Sequence, residues 1–203
     1  MSFLLRALSI VLQKLIMALR WTWYNLRVFI WHRPAPVGTR FYGPIQFSHL
    51  PCRIELGRDC VLGEHLLLAP GRNATIVLGD GSSINRGSVL VASERITIGK
   101  RVAIAEYVSI RDQEHIHVPG IGVRDQGFTV APVEIGDFSW IGRNSYLGPG
   151  TKIGRNCIVG ANSVVRGEFP DGVLIAGAPA KIKKYLNPED EGHLPTPHSA
   201  QES

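Results

Sequence analysis

Aliphatic residues recur every six positions along most of the chain, and in the C-terminal half glycine usually follows each of them. A period of six fits neither the 3.6-residue period of a helix nor the alternation of one long strand. It is typical of short strands that turn and repeat, so that each coil of a parallel β-helix buries its aliphatic residues against the next coil. The repeat positions are Leu56, Leu62, Leu68, Leu78, Ile84, Leu90, Ile98, Ile104, Ile110, Ile135, Ile141, Leu147, Ile153, Val159 and Val165.

Grouped in threes, these positions predict an all-β fold, a parallel β-helix of about five coils that occupies residues 53–170. The longest break in the period separates Ile110 from Ile135 and leaves the segment 111–131 outside the repeat. In a solenoid such an insertion leaves the stack as a loop, and long loops commonly carry function. We therefore expect residues 111–131 to protrude and to hold candidate chemistry, since they include His115 and His117.

Residues 1–33 predict a separate element, a basic amphipathic helix in which apolar residues cover most of the surface. Its polar residues recur every seven positions, at Arg6, Gln13, Arg20 and Arg27. The longest uncharged run, residues 7–13, is too short to span a bilayer. The helix would lie in the surface of an anionic membrane or pack within an oligomer, and residues 34–52 would link it to the β-helix.

The net charge of +5 is unevenly distributed along the chain. The first 54 residues contain seven Lys or Arg and no acidic residue, whereas the remainder has 15 basic and 17 acidic residues. The basicity therefore belongs to the N-terminal arm, and the repeat region predicts no nucleic-acid partner. Cys52, Cys60 and Cys157 lack the spacing of metal sites or disulfide frameworks, which favours a reduced protein of the cytoplasm.

The repeat ends at the sequence EFPDG, residues 168–172. We expect residues 171–186 to form a C-terminal segment that includes a short helix, in which Lys181 and Lys184 would share one face. The final residues, 187–203, are polar and contain prolines, which is typical of a disordered tail.

Three sequence features resemble the hexapeptide-repeat acyltransferases. They are the run VEIGDFSWIGRNSYLGPGTKIGRNCIVGANSVV that starts at Val133, the break EFPDG, and the closing AGAPAKIKK that ends at Lys184. With the upstream coils the resemblance covers about residues 53–186. It implies a left-handed coil, a homotrimer with active sites between neighbouring subunits, and acetyl-CoA as the donor. Within the family the chain is similar to the sugar O-acetyltransferases and to the related xenobiotic acetyltransferases.

The resemblance also implies a role for the histidines of the predicted loop. The family places its catalytic histidine after the third hexad of a coil, often as D-x-x-H, and the sequence from Asp112 to His115 occupies that place. A histidine can remove the proton of a poorly nucleophilic sugar hydroxyl, so His115 is the expected general base. His117 is its rival and otherwise an acceptor-binding candidate, because Gln113 replaces the first histidine of the commoner D-H-x-H form.

Three further residues are candidates for binding the acceptor, and each has an alternative role. Asp112 would orient an imidazole, bind an acceptor hydroxyl or cap the loop backbone. Arg124 would shape the acceptor pocket or lie solvated on the loop. Asn85 interrupts the glycine column, so it would reach the cleft or serve a turn.

Donor-binding residues follow from the resemblance in the same way. Trp140 and Gly142 match the family's W-I-G motif, which lines the pantetheine channel or the acetyl pocket. Gly160 and Ala161 match a place where the backbone contacts the pantetheine arm, and an amide there could help to hold a developing oxyanion. Basic residues that match the positions near the CoA phosphates, or that are simply solvated charges, are Arg166, Lys181 and Lys184.

Together these features predict an acetyl-CoA-dependent O-acetyltransferase on the inner face of the plasma membrane. It would modify a sugar hydroxyl of a surface polysaccharide or of a lipid-linked precursor, by direct attack in a ternary complex. The alternatives are an acetyltransferase for a small soluble acceptor, such as an amino sugar, a nucleotide sugar or an antibiotic, and a non-catalytic trimeric scaffold on the membrane. No metal is expected, because the H-x-x-x-x-H spacing of the zinc carbonic anhydrases on this fold is missing.

Overall fold

A single long helix precedes a stack of short strands. The computed structural model of the chain describes residues 2–28, 34–48 and 52–186. Helix α1 (Ser2–Val28) lies within the segment 1–33 for which a helix was predicted. The predicted tail, residues 187–203, lies outside the described residues, as do parts of the predicted arm and linker.

The strands form six successive coils of three strands each. The first three coils contain β1 (Arg40–Phe41), β2 (Ile45–Phe47), β3 (Arg53–Leu56), β4 (Val61–Leu62), β5 (Leu66–Pro70), β6 (Thr75–Leu78), β7 (Ser83–Ile84), β8 (Val89–Ala92) and β9 (Arg95–Ile98). The next three coils, with a hairpin formed by β12 and β13, contain β10 (Ala103–Ile104), β11 (Ser109–Arg111), β12 (Gln113–His115), β13 (Phe128–Val130), β14 (Val133–Ile135), β15 (Trp140–Ile141), β16 (Tyr146–Leu147), β17 (Lys152–Ile153), β18 (Ile158–Val159), β19 (Val164–Val165) and β20 (Glu168–Phe169). Two further strands, β21 (Val173–Gly177) and β22 (Ala180–Tyr185), end the described chain.

Corresponding strands of successive coils pair in parallel, so the coils form a prism with three faces. Face A contains β1, β4, β7, β10, β15, β18 and β21; face B contains β2, β5, β8, β11, β16 and β19; face C contains β3, β6, β9, β14, β17 and β20. We call the corner where the chain passes from face A to face B the AB edge, and that from face B to face C the BC edge. The fold is the predicted left-handed parallel β-helix.

The six-residue period sets both the core and the tight stacking of the coils. In face A, for example, Ile104 lies in register with Ile84 of the coil before it and Ile141 of the coil after it, and all three are buried. The residue after the aliphatic is usually small because the coils approach closely: a Cβ added to Gly136 would lie 2.5 Å from the carbonyl carbon of Gly154. The repeat pattern therefore specifies the core directly.

The first coil was not predicted, so the β-helix has six coils rather than about five. Phe41 and Phe47 occupy the ladder positions of this coil, in register with Leu62 and Leu68. Part of the segment 34–52, which was assigned to a linker, thus belongs to the β-helix. Aromatic residues without a following glycine hide the period there.

The predicted C-terminal helix is wrong, because residues 180–185 form a strand. Strand β21 continues face A beside β18, and it would end the sheet with unpaired backbone groups. The chain instead reverses near Gly177, and β22 pairs antiparallel with β21. Pairing along a whole strand edge outweighs the weak helix preference of a short lysine-rich segment.

Among the side chains of α1 that the structure describes, residues 7–26, those in the C-terminal half anchor the helix to the β-helix. The Tyr24 ring stacks on Phe41 with ring centroids 4.6 Å apart. The Ala35 amide donates to Asn25 Oδ1 at 2.7 Å, which ties the helix to the strand region that follows. From residue 7 to residue 16 the side chains of α1 are exposed, although most are apolar.

Between β11 and β14 the chain leaves the BC edge of the fourth coil as a hairpin. Strands β12 and β13 pair antiparallel, with His115 opposite Phe128. An isolated antiparallel bridge between Val118 and Gly122 lies beyond them. The segment 111–131 is therefore an ordered arm that places His115 at a defined height on the prism.

Candidate active site

The hairpin at the BC edge presents His115 to solvent beside a shallow pocket. The imidazole is exposed, and it packs on the Phe128 ring with centroids 4.4 Å apart. A pocket of about 530 Å³ is lined by His115 together with Arg124, Phe128 and neighbouring hairpin residues. His117 is also exposed but is not among the residues that line this pocket. The structure thus brings Arg124 together with His115 rather than with His117.

Asp112 is fully buried at the base of the hairpin, and its carboxylate caps backbone amides of the preceding coil. Oδ1 accepts from the Ser93 amide at 2.6 Å, and Oδ2 accepts from the Glu94 and Arg95 amides at 2.7 and 2.8 Å. Of the three roles considered for Asp112, this geometry favours capping of the backbone over contact with an acceptor. The carboxylate fixes where the hairpin starts.

A second contact joins the hairpin to the sixth coil. Arg166 Nη2 donates to Glu114 Oε1 at 2.7 Å, and the guanidinium also lies over the Tyr146 ring at 5.6 Å. This hydrogen bond is the main reason why the pKa of Glu114 is lowered. Arg166, expected near the CoA phosphates, here pairs with the neighbour of His115 in strand β12. Glu114 was missed by the sequence reasoning, because its partner lies two coils away.

Asn85 lies in a different concavity, which we call the AB trough because it follows the AB edge. The trough has a volume of about 690 Å³ and is lined by Tyr42, Val61, Gly63, Glu64, Asn85, Arg86, Glu106, Tyr107 and Arg143. It begins after β1 in the first coil and reaches the residues after β15 in the fifth coil. Adjacent coils are about 4.8 Å apart, so it spans roughly 19 Å.

Charged side chains of alternating sign form one wall of the AB trough. The second residue after each face A aliphatic is Glu64, Arg86, Glu106 and Arg143 in successive coils. Arg86 lies 3.9 Å from Glu64, and Arg143 lies 3.3 Å from Glu106. This column was missed, although its alternation at one point of the repeat is a signal that the sequence carries.

Tyr107 lines the same trough. It has a φ of 58°, which an aromatic residue seldom adopts, and its side chain is 47% exposed. The ring packs over Gly87 of the previous coil, where an added Cβ would lie 2.5 Å from the ring. The guanidinium carbon of Arg86 lies over the Tyr107 ring, 5.7 Å from the ring centroid. The equivalent residues of the other coils, such as His65 and Asn144, also have a positive φ, so this conformation is a regular feature of the AB edge.

The candidate donor-binding residues lie at the C-terminal end of the prism. Trp140 projects outward from face A between Ala103 and Ile158 and is 51% exposed. Gly142, Gly160 and Ala161 follow at the AB edge of the fifth and sixth coils. These residues continue the line of the AB trough.

Lys181 and Lys184 share the outward side of the sheet although they lie on a strand. Lys181 is opposite Ala176 and Lys184 is opposite Leu174, and a register shift between these pairs keeps both lysines on one side. Residues directly opposite in an antiparallel pair project to the same side of the sheet. The basic pair expected from the sequence is therefore preserved by a bulge rather than by a helical turn.

The predicted site residues thus form two groups in one chain. Asn85, Trp140, Gly142, Gly160, Ala161, Lys181 and Lys184 lie on face A or at the AB edge, whereas Asp112, His115, His117, Arg124 and Arg166 lie at the BC edge. Face B separates the two groups.

The cysteines offer no activated thiol. Cys52, Cys60 and Cys157 are all buried in the core. Burial raises the pKa of the Cys60 thiol to about 11 and also raises that of Cys157. A thiol that stays protonated is a poor nucleophile, so covalent catalysis by these residues is disfavoured. Among residues 2–28, 34–48 and 52–186, no three His, Cys, Asp or Glu side chains are grouped to hold a metal ion.

Comparison with known proteins identifies the family. A family model described as bacterial transferase hexapeptide (six repeats) matches residues 132–167. WbbJ of Escherichia coli K12, named as a lipopolysaccharide biosynthesis O-acetyl transferase, is 34% identical over 163 residues, which cover 73% of this chain and 83% of the relative. The galactoside O-acetyltransferase of the same organism is 29% identical over 72% of this chain and 77% of its own length.

A solved structure agrees with these sequence relatives. A galactoside acetyltransferase in complex with coenzyme A superposes with a TM-score of 0.53 and 25% identity, over 74% of this chain and 68% of the other. This chain therefore belongs to the hexapeptide-repeat acetyltransferase family and is an acyltransferase.

Proposed function

We propose that this chain transfers the acetyl group of acetyl-CoA to a hydroxyl of a saccharide, either a surface polysaccharide or its lipid-linked precursor. The observation that carries the proposal is the exposed His115, held at a fixed position by the hairpin and placed beside a pocket. The names of the relatives, a lipopolysaccharide biosynthesis enzyme and a galactoside acetyltransferase, support a saccharide acceptor.

His115 acts as the general base in this proposal. Acetyl-CoA supplies a thioester, whose C–S bond breaks as the acceptor oxygen bonds to the acetyl carbon, while His115 takes the hydroxyl proton. A positioned histidine typically contributes about 10²–10⁴-fold to such a reaction. The Asp112 cap fixes the residue before strand β12 and the Arg166–Glu114 pair holds the middle residue of that strand, so both limit the movement of the base.

The residues at the C-terminal end fit a phosphate-rich donor. Lys181 and Lys184 lie together on the outward side of the sheet, and the exposed Trp140 offers an apolar wall on face A. Gly160 is closely packed on the next strand, since an added Cβ would lie 3.0 Å from Ala176 Cβ. We propose that these residues hold the CoA moiety, with its phosphates near the lysines.

The active site is proposed to form between copies of the chain, as a homotrimer. A neighbouring copy that sets its AB edge beside the His115 hairpin would join the two groups of residues that face B separates. A contact between different surfaces of identical chains closes into a ring when the rotation permits, and three copies are the family's expected number. Apolar outward residues on face B, such as Val89 and Val164, favour burial between copies.

Helix α1 is proposed to hold the enzyme on an anionic membrane surface of the cytoplasm. Its apolar side chains remain exposed, Leu8 at 65% and Leu12 at 54%, and no acidic residue precedes Glu55. Within the described residues no helix has the length and apolar content needed to cross a membrane. Deleting residues 1–31 should release the protein from vesicles that contain anionic lipid, and unchanged co-sedimentation would contradict this part of the proposal.

The test of the activity is acetyl-CoA turnover with a panel of sugars, nucleotide sugars and lipid-linked oligosaccharides. The wild type is compared with His115→Ala and His117→Ala. We expect acceptor-dependent release of CoA that His115→Ala abolishes and His117→Ala retains. Loss only in His117→Ala would move the base by two residues. Absence of both turnover and acetyl-CoA binding would favour a scaffold.

A further inference from the structure

An apolar groove of about 550 Å³ lies between α1 and the first coil. The helix contributes a stripe of side chains at helical spacing, Ile16, Leu19, Trp23 and Leu26, and the coil contributes Phe41 and Pro44. We call this the α1 groove. Its volume falls within the range of about 300–1,000 Å³ that is typical of small-molecule pockets. The mechanism proposed above makes no use of it.

The α1 groove and the AB trough lie on either side of one short segment. Phe41 and Gly43 line the groove, whereas Tyr42 between them lines the trough. Arg20 also lines the groove, and its guanidinium donates a hydrogen bond to the carbonyl oxygen of Tyr42. A basic group therefore stands where the apolar groove meets the polar trough.

We infer that the α1 groove binds the hydrocarbon chain of a lipid-linked saccharide acceptor. Its phosphate lies at Arg20 and its sugar extends into the AB trough towards Asn85. This assignment rests on the proposed function and names the acceptor class for it. The order of the sites along the prism, apolar groove, single cation and polar trough, matches the order of chain, phosphate and sugar in such a molecule.

The charges of the region favour this occupant over a second copy of α1. The groove has no carboxylate, and α1 carries no acidic residue within the described helix, so a second α1 would bring like charges together. In the trough, Glu64 and Glu106 are paired with Arg86 and Arg143, which limits repulsion of an anionic acceptor. Arginine is well suited to phosphate because its donors bind two oxygens at once.

Equilibrium binding of dansyl-labelled farnesyl diphosphate to the full chain tests the site directly. Leu19→Asp and, as a second groove variant, Leu26→Asp should raise the Kd about tenfold or more, because a carboxylate would enter the apolar wall. Arg20→Gln should raise it about fivefold and should not affect binding of farnesol. The matched control is Leu8→Asp: Leu8 is 65% exposed and Leu19 61%, but Leu8 does not line the groove.

Acetyl transfer then links the groove to the acceptor. The preference of the wild type for farnesyl-diphospho-N-acetylglucosamine over N-acetylglucosamine 1-phosphate, measured as a ratio of kcat/KM, should fall about tenfold in Leu19→Asp and stay within twofold in Leu8→Asp. Equal Kd values for the Leu19 and Leu8 variants would overturn the inference. So would Leu19→Asp dissociating the oligomer without changing the Kd, which would assign the groove to a second copy.

Failure of the proposed function would look different. Saturable probe binding that the groove variants weaken, without acetyl transfer to any acceptor, would keep the α1 groove as a lipid site and reject the transferase assignment. Acetyl transfer to soluble sugars, with equal use of both acceptors and no saturable probe binding, would keep the transferase and reject the groove. Equal loss of vesicle binding in both variants with unsaturable probe uptake would mean that α1 only enters bulk lipid.

Discussion

The base of the His115 hairpin depends on one buried carboxylate, and Asp112→Asn should expose that dependence. The side chain is fully buried and accepts from three backbone amides at 2.6 to 2.8 Å. Asparagine keeps one acceptor oxygen, and its NH₂ group would face an amide that also donates. Loss of about two charge-assisted hydrogen bonds predicts a fall of roughly 3–5 kcal/mol in the free energy of unfolding.

The matched control is Asp171→Asn, since Asp171 is exposed and accepts from one amide, that of Arg155, at 2.7 Å. The control should lose only about 0.5–1.5 kcal/mol. Urea denaturation gives the overall difference, and amide hydrogen exchange locates it, because a coil contacts only its neighbours. Exchange should quicken at residues 93–95 and in β12 for Asp112→Asn alone. Equal midpoints for the two variants, or unchanged exchange at residues 93–95, would refute the reasoning.

Three more predictions concern the Arg166–Glu114 contact, which we call the hairpin clamp, and the stacking of the coils. Arg166→Gln and Glu114→Gln should each lower kcat while leaving the KM for acetyl-CoA unchanged. The double variant that exchanges the two residues, Glu114→Arg with Arg166→Glu, should recover part of kcat. A raised KM in Arg166→Gln would instead place Arg166 at the donor. The lowered pKa of Glu114 means that the clamp contributes above the ordinary carboxyl value of 4.5 and is lost only as pH falls through the lowered value. The protection factors of the β12 amides, which correct for the intrinsic pH dependence of exchange, should therefore stay constant from pH 8 to pH 5, and a fall in protection within that range would contradict the assignment. Gly136→Ala should lower the free energy of unfolding by about 2 kcal/mol or more, measured by thermal unfolding, because its Cβ would lie 2.5 Å from the next coil. Gly120→Ala is the control: it has open space and a φ of 79°, so it should lose about 1 kcal/mol. Equal losses would show that the coils separate easily.

The core of the fold was predictable because its period is written directly in the sequence. Residues such as Ile104 and Leu147 lie fully buried at the positions where the six-residue ladder puts them. The first coil escaped detection because Phe41 and Phe47 are aromatic rather than aliphatic and neither is followed by the glycine that marks most later steps. The strand conformation of β22 was not predicted because it depends on pairing with the edge of β21, which the sequence of β22 alone does not reveal.

The candidate site was predictable only where it is local in sequence. His115 was singled out through its place in the insertion and its match to the family's D-x-x-H pattern, and its role as the base stays a prediction. Glu114 and Arg166 are 52 residues apart, and their contact arises only when coils stack. The AB trough is similar, since its wall collects single residues from successive coils, about twenty positions apart or, where the hairpin intervenes, nearly twice as far. Such contacts can be predicted only when the coils are aligned in register and equivalent positions of successive coils are compared.

Because the coils are regularly spaced, the number of coils between two features sets the distance between them along the prism. The α1 groove opens at the first coil and the His115 hairpin leaves the fourth, so three coil steps, roughly 14 Å, separate the heights of the two features along the prism. Inserting or deleting one coil would change this offset by a single step and leave each neighbouring contact intact. In the proposed arrangement, with the acceptor anchored in the α1 groove and His115 as the base, the number of coils would determine how far from its anchored end an acceptor is modified, and we expect relatives with other coil numbers to reach a different hydroxyl.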